Sequence, residues 1–560
     1  MTPNIQESHH DVLDGVHLMA TTPPGSSQDT GPRPSPQHPM TVTESHDPDP
    51  SSFSAQSPFV ALSSAIIELS PARQLSSLRH EDENFSVFSH SQNPLGLSRP
   101  TITEQTLVEL LELLLYYIPV VGDTDFDDPL AVVRNRPCLA YCAGYVAAQY
   151  AIGCARVRAP LLARVTEFIH LSKRRIPSDQ DLLWTELQAF AILYAYQPVT
   201  DIFNLPHSRS DQLSHWDLKS FVESFALRAG LHRSLESVRS LLEEGSTTNM
   251  ADSRAFQDYT YWLWLFTMSH HFSLMTRTPP SIRADVSITT ATELLKDISK
   301  PSRVTRIVAE VDLYMLWSHA GRYLPELAEW WCTPSSATDI DDTSDISEDV
   351  AAALELWAQR WGVRGEAYAT VSDLDVTRNA AVEFHLRATR FHIGCFITGW
   401  NLRRVTTARK TTRLDMNDTV RRSLLSTIQA ACDVFKPYLD MPPLRREKLR
   451  YIPDQAFALI AFCCLYIINA VDLFGASSTA LSPYLETVYH TGIFLQEMAV
   501  ASSTNPPRYG GVVLDRLDQL KSTTHPADQV ANVRSEPVQE ELAQHRRASQ
   551  DLLCMRRAFS

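Results

Sequence analysis

Glycine is scarce in this chain, 18 among 560 residues, and no stretch sustains a two-residue alternation of apolar and polar side chains. Together these exclude a turn-rich β-sandwich or barrel. No lysine precedes Lys173 and no cysteine precedes Cys138. With a net charge of −15, the chain is poorly suited to gripping a phosphate backbone by itself. None of the nine cysteines is spaced from another by the two-residue gap of a zinc knuckle or ribbon. Cys138 and Cys142 stand one helical turn apart without a nearby fourth ligand, and Cys463 and Cys464 are adjacent. The odd count, the apolar neighbours and the lack of a signal peptide predict reduced, buried thiols in the nucleus or cytoplasm. The longest apolar run, Ala456–Ala470, has 15 residues. A membrane span needs about 20, so the run predicts a central core helix. Gly-x-Ser-x-Gly, a P-loop, a dinucleotide fingerprint and His-Glu-x-x-His are all missing.

What the chain does contain divides it into three. The first 100 residues hold 13 of the 34 prolines, with 11 acidic and 4 basic residues, a net of −7 that leaves −8 for the rest. Such a segment cannot bury enough apolar surface to offset the entropy of ordering it, which predicts disorder except for a helical patch at Phe59–Leu69. Residues 101–502 carry apolar positions at three- and four-residue spacing, the pattern of one large all-α body or two fused helical lobes. Helices are expected at Leu107–Ile118, Cys138–Cys154, Leu182–Tyr196, Trp216–Leu231, Val350–Trp361, Val382–Leu402, Asp418–Tyr438 and Pro453–Phe474. The first begins at a capping box in which Thr101 accepts a backbone N–H and Glu104 reaches back. In the fourth, Phe221, Phe225, Leu227 and Leu231 form the apolar face. An acidic Ser/Thr-rich loop fills 333–349, and 503–560 reads as a polar tail with a short helix, Val538–Arg557.

The stretch Tyr259–Ile282 is the most informative. An aromatic-rich run ends in a polar turn, resumes for one helical turn, and stops at Arg277-Thr-Pro279-Pro280. Trp262, Leu265, Phe266 and Ser269 fall on one side of a helix. Pro279 cannot continue it and pushes Thr278 out of the α region. The helix and its exit turn are expected to act as structural anchors, with Arg277 hydrogen-bonded to a neighbouring helix end, so Arg277→Ala should lower the melting point.

Four stretches, in order, resemble the fungal-specific transcription factor domain, the regulatory region of fungal zinc-cluster activators. They are Leu107–Pro119, Trp184–Pro198, Phe225-Ala-Leu-Arg-Ala-Gly-Leu-His-Arg233 and Trp262–Ile282. The third is close to the family's A-x-x-LGLHR and is the most specific. In the fourth, His270-His271 replace an Asp-Arg pair, and Thr276-Arg277-Thr-Pro279 replaces Gly-Arg-Pro. The resemblance implies an all-α nuclear regulator of a metabolic gene set. Its implied partners are the transcription machinery or a DNA-binding protein, with no membrane. A small-molecule effector between packed helices and a homodimer belong to the same expectation. Family members carry a six-cysteine, two-zinc cluster ahead of this region, and its lysines and arginines contact DNA. Nothing before Cys138 matches it, so DNA is expected to be reached only indirectly or through such a cluster outside this sequence.

Other constellations lead elsewhere. Asp341-Asp342-Thr-Ser-Asp345 spells the magnesium-binding motif of isoprenoid synthases, with Asn417-Asp418 and Ser423 as the nearest second motif, but no glutamate completes it. That makes a metal-dependent enzyme the first alternative and a helical protein-binding scaffold the second. His270 and His271, adjacent on a helix, point about 100° apart and chelate one ion poorly, so one is expected to face the core and one solvent. His385, His392 and Cys395 share a helix region but lack a fourth donor. Basic runs at Lys173–Arg175, Arg403–Arg413 and Arg445–Arg450 are candidates for nuclear import or solvated faces. His80–Phe88 mixes acids and aromatics as activation segments do. No catalytic, cofactor-binding or metal-ligating residue is assigned on this reading, and no enzyme activity.

Overall fold

The computed structural model describes residues 102–117, 128–151, 154–197, 213–244, 253–296, 302–320, 344–361, 373–408, 418–442, 449–474, 481–499 and 505–524. To these it adds the isolated positions Pro58, Ala61, Leu62, Ala65, Met250, Glu329 and Arg446. All of them lie in the unit Pro48–Ser560. Among the described residues there are 17 α-helices, one 3-10 turn and no strand, so the fold is all-α as expected.

The first half runs α1 (Glu104–Tyr117), α2 (Pro129–Asn135), α3 (Pro137–Tyr150), α4 (Ala155–Arg174), α5 (Gln180–Tyr196), α6 (His215–Arg228), a 3-10 turn (Leu231–Arg233) and α7 (Ser234–Glu243). It continues through α8 (Arg254–Thr276), α9 (Val286–Thr289), α10 (Ala291–Leu294), α11 (Ser302–Ala320) and α12 (Ser344–Arg360). The second half is α13 (Asp373–Ala408), α14 (Asp418–Leu439), α15 (Asp454–Phe474), α16 (Ser482–Glu497) and α17 (Pro506–Thr524).

Local chemistry places most of these ends. The cap of α1 sits two residues after the expected one: Thr103 Oγ1 accepts from the Thr106 N–H at 3.1 Å, while Glu104 turns away to Arg134 at 3.3 Å. Asp128, Asp179 and Asp285 cap α2, α5 and α9 by accepting two backbone N–H groups each. The expected helix Trp216–Leu231 stops early because Gly230 adopts φ +82, a left-handed turn that glycine enters at no steric cost. Beyond it Leu231–Arg233 form their own turn. Leu227 leaves the expected apolar face and is 46% exposed, whereas Phe221, Phe225 and Leu231 are buried.

Two hydrophobic cores form, and α13 is the wall between them. Val382, Leu386, Ile393, Ile397 and Trp400 face the core built from α1–α12. Phe384, Ala388, Phe391 and Cys395, on the opposite stripe, face the core built from α14–α17. Helix α8 ends in the second core through Phe272 and Met275. Thus α8 and α13 belong to both halves.

Helix α15 is the centre of the second core, as the apolar run predicted. Its stretch Asp454–Leu473 is long and apolar enough to cross a membrane, yet it is mostly buried within the protein. Two boundaries differ from expectation. The folded body does not stop at 502: Tyr509, Val513, Leu517 and Leu520 of α17 are buried in the second core. Helix α12 starts at Ser344, inside the expected loop 333–349. In the helical patch expected at Phe59–Leu69, Ala61, Leu62 and Ala65 are helical and join the second core, and Pro58 just ahead of it is helical too. Their spacing puts them on one helix face. The tail helix Val538–Arg557 and the segment His80–Phe88 lie outside the described residues.

Where α16 crosses α17, two glycines permit close approach. A Cβ at Gly510 would stand 2.5 Å from the Gly492 carbonyl oxygen and 3.0 Å from the Gln496 nitrogen, whereas one at Gly511 meets nothing within 4 Å. Gly510→Ala should therefore destabilise by about 1–3 kcal/mol, because backbone must move to admit the methyl. Gly511→Ala should stabilise by about 0.5–1 kcal/mol through helix propensity. Paired urea unfolding curves check the opposite signs.

Candidate functional site

The chain's buried polar chemistry gathers around α8. Ser253 caps this helix by accepting from the Phe256 N–H at 3.3 Å. From there 23 residues run without a break to Thr276, so the expected polar turn does not interrupt it. The interruption is unnecessary because the small hydroxyls find partners along the helix: Thr267 donates to the Trp264 carbonyl at 2.8 Å, and Thr276 to the Phe272 carbonyl at 2.7 Å. The aromatic residues fix α8 sideways. Tyr261 donates to the Leu187 carbonyl of α5 at 2.8 Å, and the Trp262 indole donates to Ser287 Oγ at 3.1 Å.

The exit turn folds back on its own helix. Ser269 Oγ accepts from the Ser281 and Ile282 N–H groups at 2.9 and 3.1 Å. Arg277 is the non-glycine residue with positive φ among those described, at φ 53 and ψ 44, a left-handed helix terminus. Ser281 Oγ then donates to Glu223 Oε1 at 2.7 Å, and Lys219 Nζ reaches the same hydroxyl. Lys219 and Glu223 form an ion pair at 3.0 Å on α6 with side chains only 9% and 10% exposed. Lys219 also lies 5.5 Å from the Phe272 ring centre, and His215 stacks on the opposite partner of that contact, 5.0 Å from Phe272. This network staples the turn to α6, which supports the expectation of a structural anchor.

The paired histidines behave otherwise than expected: neither side chain faces open solvent. His270 is buried, with Nδ1 against the Phe266 carbonyl at 2.9 Å. His271 is half-buried and lies against α13, its ring stacked on His385 with centroids 4.2 Å apart and planes 9° apart. Sequence periodicity missed this because α8 is surrounded on nearly every side, so a 100° step leads from one neighbour to another. His385 Nε2 stands 3.4 Å from Glu310 Oε1 of α11, and Arg306 donates to the same oxygen at 2.7 Å. Tyr314 closes the group, with its ring 5.1 Å from His270 and 5.4 Å from His271. His271, Glu310 and His385 offer donor atoms all within 4.8 Å of one another.

Burial lowers the pKa of every histidine here. His270 is pushed down to about 4 and His392 to about 3, the latter helped by the nearby Arg277 charge. His271 falls well below the ordinary value, by burial and then by the like charge of His385. His385 is lowered by burial although Glu310 opposes the change. Arg306 goes the other way: burial would lower it, but the Glu310 carboxylate overcomes that and holds it charged.

The remaining candidates separate. His392 and Cys395 do not join the donor group of His385; Cys395 faces the second core, where burial raises its pKa. Glu310 went unnoticed because nothing in its local sequence marks it. The seven described cysteines are all free thiols, and burial raises Cys142, Cys463 and Cys464 well above the ordinary range. Asp341 and Asp342 lie outside the described residues, as does the side chain of Asp345. Ser423, expected near a second metal motif, shares a hydrogen bond of 2.7 Å with Thr398 in the α13–α14 contact. Of the basic runs, Lys173, Arg174 and Arg175 are exposed at the end of α4. Arg446 and Arg450 instead donate to backbone carbonyls, of Met441 and Leu439 and of Ala499 respectively.

Compared with family models, characterised proteins and solved structures, the chain matches none.

Proposed function

We propose that this chain is a transcriptional regulator of the nucleus, built on a helical regulatory domain like that of the fungal zinc-cluster activators. One observation carries the reading: three of the four stretches that resemble that domain, far apart in sequence, meet through aromatic contacts. Phe190 of the second stretch and Phe225 of the third are edge to face, with centroids 5.4 Å apart. His232 of the third meets Trp262 of the fourth at 6.2 Å. Gly230, the glycine of the most specific stretch, occupies a left-handed turn that a side chain would strain. Leu107–Pro119 contributes α1, which packs on α3, and α3 packs on α5. Residues that a family needs for packing would sit together in this way.

The exposed Lys173–Arg175 run supplies a surface for import. DNA is reached through a partner or an additional zinc cluster, since a chain with a net charge of −15 is poorly suited to gripping a phosphate backbone by itself. Regulation works by population shift: a small molecule or protein binds between helices and changes which surface is offered to the transcription machinery. The test is to fuse the full chain to a heterologous DNA-binding domain and measure a reporter in a fungal cell. A change of several-fold in reporter output, weakened by Phe225→Ala in step with the loss of folded protein, is expected. Output equal to that of the DNA-binding domain alone, with the chain held outside the nucleus, would refute the reading.

A further inference from the structure

We infer that His271, Glu310 and His385 bind a single divalent transition-metal ion, best matched by zinc, at the junction of α8, α11 and α13. Each helix supplies one donor, and the three donor atoms lie within 4.8 Å of one another. Two imidazoles and one carboxylate are a donor set zinc accepts, with a fourth position left for water. In a tetrahedral site with bonds of about 2.0–2.1 Å, donor atoms stand about 3.4 Å apart. The His385 Nε2 to Glu310 Oε1 separation is 3.4 Å already.

His271 Nε2 is shielded from water and has no hydrogen-bond partner. A shielded, unmatched nitrogen is costly to a fold, and an ion would satisfy it. His271 and His385 are each partly exposed, whereas Glu310 is buried, so the group lies at the edge of the core. The stacked rings must turn about their outer torsion to aim both lone pairs at one point, and that torsion is soft in histidine. Arg306 donates to Glu310 Oε1, an oxygen with a second lone pair for the ion, which makes Arg306 an outer partner that orients the carboxylate. Because α8 and α13 serve both cores, an ion here would couple them. The inference stands whether or not the chain regulates transcription.

The experiment uses the full chain, stripped with a chelator and titrated with Zn²⁺ or Co²⁺ alone. One ion per chain is expected, with a rise in the melting midpoint. The cobalt form should show the visible bands of four-coordinate geometry and lack the near-ultraviolet absorbance of a thiolate ligand. Glu310→Gln and His385→Gln should each weaken binding at least tenfold. No retained ion, a cobalt spectrum showing sulfur ligation, or an affinity in both variants equal to that of the unaltered chain would overturn the site. The spectrum of the unaltered chain decides the matter even if a variant unfolds.

Discussion

Lowering the pH from 7 to 5 should destabilise the protein by about 4 kcal/mol through His215 and His270 alone. Both are buried, at 0% and 6% exposure, and burial pushes each pKa down to about 4 from the ordinary 6.5. The unfolded chain takes up protons at these residues near pH 6.5, while the folded chain excludes them until about pH 4. Protonation therefore favours unfolding: the stability is fully present above pH 6.5 and is lost as the pH falls toward 4. At pH 5 the deficit is about 1.5 pH units per group, or about 2 kcal/mol each. Half-buried His392, His271 and His385 add to the loss with the same sign. Urea midpoints at pH 7 and pH 5 measure it. His215→Phe keeps an aromatic ring against Phe272 and should flatten the dependence by about 2 kcal/mol. Glu186 and Asp258, whose pKa values burial raises, oppose the trend but are common to both proteins. An unchanged slope in the variant would mean that His215 takes up its proton inside the fold.

Lys219→Met should cost about 3–5 kcal/mol, because it strands Glu223 in a buried setting without its counter-charge. The pair sits at 3.0 Å with both side chains about nine-tenths covered, and Ser281 bonds to it from the exit turn. The double change Lys219→Met with Glu223→Leu should recover most of the loss, since two well-packed apolar side chains avoid the desolvation that the ions suffer. Urea unfolding of the two variants side by side gives the comparison. If the single variant matches the parent, the pair is not the staple that holds the turn to α6.

The fold class was legible because apolar spacing and helix stops are local. Asp418–Leu439 and Asp454–Phe474 agree with expectation within one residue, since caps, prolines and periodicity act over a single turn. Helices α2 and α4 were not foreseen: α2 has only 7 residues, and α4 carries Pro160 inside it. Helix α17 was hidden by its opening Pro-Pro and Gly-Gly, which signal a loop locally but here open a helix and allow it to touch α16.

The site was less legible. Lys219, Glu223 and Ser281 are 4 and 58 residues apart and carry no common motif. His271, Glu310 and His385 span three helices; the two histidines were candidates in separate groups, and Glu310 carried no local signal. By itself the sequence determined that this chain is helical, where several of its main helices lie, and that most of the described thiols are buried. Those features depend on neighbours within a few residues. Only the tertiary structure decided which polar groups face one another, because the register between packed helices is set by the sum of many weak contacts that no short stretch encodes.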